Sequence, residues 1–238
     1  MKTLIQNNLV RNFVAGKWQE GDDNASIAVE DPATGETITY CALASDKSLN
    51  DALKGARSCF ESGDLQNLGP LGKAALLRNI AIEIRKIADE GAELLCRESG
   101  KALNDAKAEF IQAASYFDYY SGIADKIEGK SIPLGSGYVD YTVLEPYGVS
   151  AQIVPWNFPV SLAARSLAPA LAAGNSVIIK SPELDPLGIA ALGIALERAG
   201  TPKGSVSILN GIGSDLGAKL VASKGIDQIV FTGSVPTR

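Results

Sequence analysis

Few side chains in this sequence could do chemistry, and the most informative ones lie in two short turns. Residues 154–159 place an amide side chain, Asn157, between proline and aromatic residues, and residues 231–234 read Phe-Thr-Gly-Ser. A rigidly held amide can donate to a developing oxyanion. A helix that begins with glycine and serine can hold a diphosphate through its free backbone N–H groups. The two turns therefore predict a site for an anionic ligand and a negatively charged reaction intermediate.

Further polar candidates follow the neighbouring strand-like segments. Lys180 and Glu183 are three residues apart, and a carboxylate here can accept two ribose hydroxyls while an ammonium donates to the same sugar. Gly211 and Gly213 lie in a later turn. Each candidate also has a plainer interpretation: Asn157 as a helix cap, the charged residues as a solvated pair, and the glycines as simple loop closure. The residue types alone leave these alternatives open.

Composition excludes several kinds of site. The chain has no histidine, so Ser-His-Asp catalysis, Cys-His catalysis and histidine metal sites are ruled out. Its three cysteines are widely spaced and match neither a zinc pattern nor a disulfide framework. We interpret Cys41, Cys59 and Cys96 as small buried apolar residues, and we predict no metal site.

Charge and hydropathy exclude some classes of binding partner. The net charge is -5 and 46% of the residues are hydrophobic, with no stripe of lysine and arginine. This balance predicts no nucleic-acid partner. No apolar run is long enough to cross a membrane. The first eight residues turn polar too soon for a signal peptide, which predicts a cytoplasmic protein.

The first half of the chain reads as small strands followed by helices. Residues 13–18 predict one half of a hairpin and residues 31–36 a turn. Asp46 is expected to cap the first helix, Gly100 to end the second, and the third carries an apolar series to Phe117. We assign residues 1–136 to an N-terminal part of a cofactor-binding domain. Residues 137–149 look like an extended strand pair that leaves the main body, and an exposed strand of this kind usually pairs with another element or another subunit.

From residue 149 the pattern alternates strand and helix. Apolar segments 149–154, 176–180, 206–209 and 227–231 predict strands, and helices are expected over 159–173, 186–200 and about 214–223, with Asp185 as the cap of the second. The fold class is therefore α/β, with a Rossmann-like parallel sheet. Ligands of such sheets bind beyond the carboxyl ends of the strands, where the candidate residues lie. No G-x-G-x-x-G follows the first strand, so a standard dinucleotide fingerprint is missing.

These segments together resemble the aldehyde dehydrogenase superfamily, in order and over nearly the whole chain. The similar motifs are Phe13-Val-Ala-Gly-Lys-Trp18, Asp31-Pro-Ala-Thr-Gly-Glu36, Glu98-Ser-Gly-Lys101, Pro155-Trp-Asn-Phe-Pro159 and Phe231-Thr-Gly-Ser234. The tetrapeptide at 180–183 is K-S-P-E where members more often have K-P-S-E or K-P-A-E. Its two functional ends are kept. By this resemblance residues 150–238 form the nucleotide-binding part, with an incomplete sheet.

The resemblance implies a role for each candidate. Asn157 becomes the oxyanion donor, and Lys180 and Glu183 hold the adenosine ribose. The full set of implied cofactor-binding residues is Ile153, Pro155, Trp156, Lys180, Glu183, Gly213, Gly233 and Ser234. The implied cofactor is NAD, with NADP less favoured because a carboxylate repels a 2′-phosphate. The implied partners are an aldehyde substrate and further copies of the chain.

The family's chemistry also needs groups that this sequence does not show. A thiolate attacks the aldehyde, a hydride passes to NAD, and the thioester is hydrolysed. The nucleophilic cysteine and the base glutamate of an L-E-L-G-G-K motif are not found, so we expect a fragment without aldehyde-oxidising turnover. Two alternatives stay open: a non-catalytic protein that binds nucleotide or subunits, and a fragment of a relative that passes the acyl group to coenzyme A.

Overall fold

The computed structural model describes residues 5–22 and 24–234. The strands within these residues are β1 (Ile5–Gln6), β2 (Leu9–Val10), β3 (Asn12–Val14), β4 (Lys17–Gln19), β5 (Ser26–Glu30), β6 (Thr37–Ala42), β7 (Ser131–Ile132), β8 (Asp140–Tyr141), β9 (Val149–Ile153), β10 (Ser176–Ser181), β11 (Val206–Asn210) and β12 (Gln228–Phe231). The α-helices are α1 (Asp46–Ser62), α2 (Gly69–Lys86), α3 (Ala88–Ser99), α4 (Leu103–Ser121), α5 (Pro159–Ala173), α6 (Pro186–Arg198) and α7 (Ala218–Val221).

The main sheet confirms the predicted α/β architecture. Its strand order is β12-β9-β10-β11-β3-β4, and the first four strands are parallel. β9, β10 and β11 are almost wholly buried, as expected of parallel strands covered by helices on both faces. Residues 13–18, predicted to be one half of a hairpin, contribute to both of its strands, with Phe13 opposite Trp18. The hairpin joins the sheet antiparallel, with Phe13 opposite Ile208, a pairing that no local pattern predicts.

Alternate residues of the central strands pack against different helical layers. Val177 and Ile179 face a large core shared with α2, α3, α4, α5 and α6. Ile178 and Leu209 face a smaller core shared with α1 and α7. The four-stranded sheet β1-β2-β6-β5 packs its apolar face against Leu187 and Ile194 of α6. The three layers therefore meet around α6 and the parallel strands.

Residues 137–149 differ from the expectation. The strand pair is β7 with β8, in which Ser131 lies opposite Tyr141, so one of its strands lies before the predicted segment. Val149 belongs to β9 in the main sheet. The exposed segment thus covers 131–147, and only two of its residues on each side form a ladder, because the side chains are solvent-facing and no third strand supports them.

Several predicted helix boundaries also change. Ser45, and not Asp46, caps α1, because its hydroxyl accepts from the Ser48 N–H at 3.1 Å. The second predicted helix is two helices that meet at Ile87, and α3 ends at Gly100 as expected, with φ +72°. The segment after β11 opens with a π-helical turn over Gly213–Gly217 before α7 begins.

Asp185 occupies the N-cap position of α6 but its side chain caps nothing. The carboxylate that caps this helix comes from Glu98 on α3, which accepts from the Leu187 N–H at 2.6 Å and the Gly188 N–H at 2.8 Å. Glu98 is buried, and burial raises the pKa of its carboxyl well above the usual range while the two backbone bonds oppose that rise. A side chain from a distant helix therefore satisfies the free donors of α6.

Replacing Glu98 by alanine should destabilise the protein. The substitution leaves two buried N–H groups of α6 without acceptors, which costs about 2 kcal/mol or more of unfolding free energy. Urea denaturation of Glu98→Ala measures the loss. Glu93→Ala on the exposed face of the same helix is the matched control and should change the free energy by less than about 0.5 kcal/mol. Equal stabilities of the two variants would contradict the capping role.

Candidate functional site

The predicted site segments meet at one edge of the main sheet. Ile153 at the end of β9 lies opposite Lys180 of β10 on one side and Phe231 of β12 on the other. The Thr232 N–H donates to the Ile153 carbonyl at 3.2 Å, and the Val154 N–H donates to the Lys180 carbonyl at 3.3 Å. The strands therefore end level with one another, and the turns that follow them share a single edge.

Lys180, Glu183 and Gly213 form one cluster at this edge. Lys180 is 3% exposed, and its ammonium donates to Glu183 Oε2. The Gly213 N–H donates to Glu183 Oε1 at 3.2 Å. A methyl group placed on Gly213 would lie 3.6 Å from the Glu183 carboxylate and 3.7 Å from the Lys180 ammonium. The glycine therefore leaves open space beside both charged groups.

This geometry excludes one of the alternatives for these residues. A solvated ion pair is the wrong description of Lys180, whose side chain is buried. Burial acts to raise the pKa of Glu183, but the hydrogen bonds from Lys180 and from backbone N–H groups, including that of Gly213, outweigh it and lower the pKa. Glu183 is therefore held as a carboxylate, and its side chain is partly exposed. The Gly213 N–H contributes to the hydrogen bonding that holds it.

Asn157 lies in the turn between β9 and α5, where it is exposed beside Trp156 and Phe158. It does not cap α5: the N-cap position is Phe158, and no side chain of the turn caps the helix. Asn157 Oδ1 accepts from the Phe158 N–H at 3.0 Å. The oxygen end of the amide is thus engaged locally, and the Nδ2 end is left as a donor.

A cleft of about 1030 Å³ runs between this turn and the exposed face of α4. Its walls include Trp156, Asn157 and Phe158 on one side and Gln112 and Ser115 on the other. Lys101, Glu109 and Asp185 lie at its base. The candidate amide donor therefore opens onto a space large enough for a small organic molecule.

Two further charged residues bear on this turn, and sequence reasoning missed their roles. Lys101 was noted only as the end of a motif, yet its ammonium lies 2.6 Å from Glu109 Oε2 and donates to the Asn157 carbonyl at 3.1 Å. Glu109 occupies the buried face of α4 together with Ala106 and Ala113. A charged residue within an apolar helical series was the signal that could have found it.

The turn after β12 and the three cysteines are the remaining predicted residues. Gly233 and Ser234 are exposed after β12, whereas the helix expected to follow them falls on residues 235–238, outside the described part. Cys41 and Cys59 are buried, and burial raises the pKa of both thiols. Cys96 is half-buried against the core. None of the three lines the cleft beside Asn157. Within the described ranges no group of acids and cysteines could hold a metal.

Comparison with known proteins identifies the family. The model of the aldehyde dehydrogenase family matches residues 18–238. The chain belongs to the aldehyde dehydrogenase family. It is 34% identical over 234 residues to aldehyde dehydrogenase family 2 member B4, mitochondrial, of Arabidopsis thaliana, and 35% identical over 226 residues to betaine aldehyde dehydrogenase of Bacillus subtilis. The predicted family is therefore confirmed.

Solved structures agree in fold. The NAD+ complex of an aldehyde dehydrogenase from Bacillus cereus superposes with a TM-score of 0.95 at 31% identity, covering 99% of this chain and 48% of that one. A betaine aldehyde dehydrogenase from Staphylococcus aureus, also solved with NAD+, gives 0.93 at 31% identity. The curated relatives are likewise covered over 44% and 46% of their length, so the chain spans about half of each. In the described residues no helix is long and apolar enough to cross a membrane.

The buried acid at the base of the cleft should make stability depend on pH. Burial raises the pKa of Asp185 from 3.8 to about 6, and the Lys101 charge partly opposes the rise. Between these values the folded protein keeps a proton that the unfolded chain has lost, so the unfolding free energy falls as pH rises through this window. Asp185→Asn removes the penalty and should stabilise the protein by roughly 1–3 kcal/mol at pH 7.5.

Urea denaturation of both proteins at pH 4 and pH 7.5 measures this effect. The stability difference should fall to roughly 0.5 kcal/mol at pH 4, because the folded carboxyl is protonated there and that of the unfolded chain is still about half ionised. Asp105→Asn, an exposed acid of the same cleft, serves as the control, with changes below about 0.5 kcal/mol at either pH. A stability difference that is the same at both pH values would argue against the buried titration.

Proposed function

We propose that this chain forms the nucleotide-binding half and the oxyanion-stabilising wall of an NAD-dependent aldehyde dehydrogenase site. The observation that supports it best is the cluster of Lys180, Glu183 and Gly213 at the sheet edge, one strand away from the turn that carries Asn157. The solved relatives from Bacillus cereus and Staphylococcus aureus are NAD+ complexes. The reaction is the oxidation of an aldehyde to a carboxylic acid.

The residues at the sheet edge fit a dinucleotide. Glu183 is an ionised, half-exposed acceptor that can bind the two hydroxyls of a ribose, and Lys180 supplies a neighbouring donor. The open space over Gly213 gives the sugar room to approach. Ile153, Pro155 and Trp156 border the same edge, and Gly233 and Ser234 lie on the turn proposed for the diphosphate. NAD accepts the hydride that the oxidation releases.

Asn157 is proposed to stabilise charge. Its Nδ2 group is a donor on the wall of the cleft, while its Oδ1 is engaged by the Phe158 N–H. When a nucleophile adds to the aldehyde carbonyl, the oxygen becomes negative and needs a donor that is already in place. Loss of one such donor in enzymes of this kind costs about 10²–10³ in rate.

The nucleophile is not among the cysteines of this chain. Cys41 and Cys59 are buried, their raised thiol pKa values disfavour the thiolate, and Cys96 packs against the core. These facts favour a second candidate function for the chain by itself, the binding of nucleotide or of other subunits without turnover. Transfer of the acyl group to coenzyme A stays a prediction of the sequence that no contact favours.

Self-association is the remaining part of the proposal. The segment 131–147 exposes a row of large apolar side chains: Ile132, Leu134, Tyr138, Val139, Tyr141, Val143, Leu144 and Tyr147. Exposed strands with apolar side chains commonly pair with another chain. We therefore propose a homo-oligomer in which this segment contacts a second copy. A cytoplasmic location also remains a proposal, and the Arabidopsis relative is named as mitochondrial.

Calorimetric titration of the 238-residue protein with NAD and NADP tests the nucleotide site. NAD is expected to bind more tightly than NADP, because Glu183 accepts the 2′-hydroxyl and repels a 2′-phosphate. Glu183→Gln should weaken NAD about tenfold, the loss of one charged hydrogen bond, and narrow the preference over NADP. Glu61→Gln, an exposed acid on α1, is the control and should bind like the unmodified protein.

A second variant is needed because Glu183→Gln leaves the buried Lys180 without its partner, and weaker NAD binding could then come from misfolding. Gly213→Val keeps the ion pair and fills the space beside it, so NAD binding should fall while the urea midpoint changes little. Equal affinities for NAD and NADP in the unmodified protein would contradict the proposal that Glu183 binds the ribose. The same preparations should form no NADH from aldehydes, as followed at 340 nm.

Charged substitutions on the exposed segment should weaken self-association. Light scattering over a range of protein concentrations compares the double variant Val139→Lys/Tyr141→Lys with the unmodified chain. We expect the apparent association constant to fall at least about tenfold, because each lysine would have to be desolvated at the contact. Tyr119→Lys, a similarly exposed tyrosine on α4, is the control. An unmodified protein that stays monomeric at the highest concentration would refute the proposal.

A further inference from the structure

A single lysine holds the turn that carries the oxyanion donor. Lys101 follows Gly100, which ends α3, and precedes α4 by two residues. Its ammonium lies 2.6 Å from Glu109 Oε2, and the two side chains are 16% and 1% exposed. Partners this well buried interact with little screening by solvent. The ion pair therefore holds the Lys101 ammonium in one place beneath the cleft.

The same ammonium reaches the turn itself. It donates to the Asn157 carbonyl at 3.1 Å and lies 4.8 Å from the centre of the Phe158 ring, within range of a cation–π contact. Among the described residues, no other side chain from a distant part of the sequence makes a hydrogen bond to the backbone of residues 155–158. The exposed turn thus depends on Lys101 for its tertiary hydrogen bonding.

Glu109 forms hydrogen bonds with the backbone just after this turn, at the start of α5. Its Oε1 accepts from the Val160 N–H at 2.9 Å and the Ser161 N–H at 3.1 Å, which are free donors of the first turn of α5. Lys101 bonds the carbonyl of Asn157 itself, and Glu109 bonds the helix start three and four residues later. The pair therefore fixes the backbone from the residue that must present Nδ2 to the first turn of α5.

We propose that Lys101, held by Glu109, is a positioning residue that fixes the Asn157 amide in its donor orientation, an inference that rests on the proposed role of Asn157. The Asn157 side chain folds back onto the Phe158 N–H, so its direction follows the local backbone. An oxyanion donor acts only if it is already in place, and a misplacement of about 1 Å costs about 10²-fold in rate. Lys101 provides that placement from outside the turn.

A plainer role must be separated from this one. Lys101 is also near Asp185, whose pKa it acts to lower, so it could serve only as a counter-charge for buried acids. A counter-charge contributes to global stability. A positioning residue also controls the environment and motion of the Asn157 amide in a protein that remains folded. Measurements on that amide distinguish the two.

The experiment uses the 238-residue chain labelled uniformly with ¹⁵N. The Asn157 side-chain amide is assigned by its disappearance in Asn157→Asp, and hydrogen exchange is followed for the backbone amides of Phe158, Val160 and Ser161. The variants are Lys101→Met, which removes the charge, and Lys101→Arg, which keeps it. Lys107→Met is the matched control, because Lys107 also lines the cleft and forms an ion pair with the exposed Asp89.

Lys101→Met should shift or broaden the Asn157 amide signals and speed exchange at Phe158, Val160 and Ser161 at least about tenfold, the effect of losing one charged hydrogen bond. Lys101→Arg should restore both, and Lys107→Met should change neither. Unchanged Asn157 signals in Lys101→Met would overturn the proposal. So would exchange that accelerates equally in all helices, since that is the signature of a counter-charge.

If Lys101→Met does not fold, Glu109→Gln replaces it, since glutamine keeps an acceptor for α5 but loses the ion pair. Altered Asn157 signals then support the proposal, and unaltered signals overturn it. NAD titration of the same variants is a separate readout. Lys101 makes no contact in the nucleotide cluster, so a protein that binds no NAD would count against the proposed function and leave the positioning result intact.

Discussion

Two buried glutamates supply acceptors for the helices that flank the site, and the rest of the structure depends on this arrangement. Each helix of a parallel sheet starts at the ligand-binding edge with free N–H groups that must be satisfied. Glu98 satisfies those of α6 and Glu109 those of α5. Both come from the preceding helices α3 and α4. The N-terminal half of the chain is therefore bonded directly to the functional edge of the second half.

The edge has two parts that differ in the exposure of their charged groups. At the part proposed to bind the nucleotide, the carboxylate of Glu183 is partly exposed and accepts hydrogen bonds from Lys180 and from the Gly213 N–H. At the cleft part, the charges are buried, and the polar group offered to a ligand is a neutral amide. Sugar recognition needs accessible charge that water can also reach. Stabilising a transient oxyanion needs a donor whose place does not change when charge develops.

The sequence allowed the family, the parallel sheet and the turns at its edge to be predicted, because each depends on short local patterns. Helix α5 ends at Gly174 as expected, and the strands start within a residue of their predicted positions. The partners of Glu98 and Glu109 could not be predicted, since they are 89 and 51 residues away along the chain. The hairpin likewise gave no sign that Phe13 lies opposite Ile208. Local patterns predict elements, whereas the contacts that orient them are long-range.

The base of the cleft shows why long-range contacts concentrate at this place. Three acids, Glu98, Glu109 and Asp185, are almost fully buried there around the single ammonium of Lys101. Burial raises the pKa values of Glu98 and Asp185, which means that the ionised form of each is unfavourable at this point. Glu98 and Glu109 offset this cost by bonding helix N-termini, where negative charge is favourable. Asp185 caps no helix, and the Lys101 charge offsets the cost of its burial only in part. A buried acid whose cost is only partly offset, in the lining of a cleft, is typical of a region arranged for a ligand and not for stability alone.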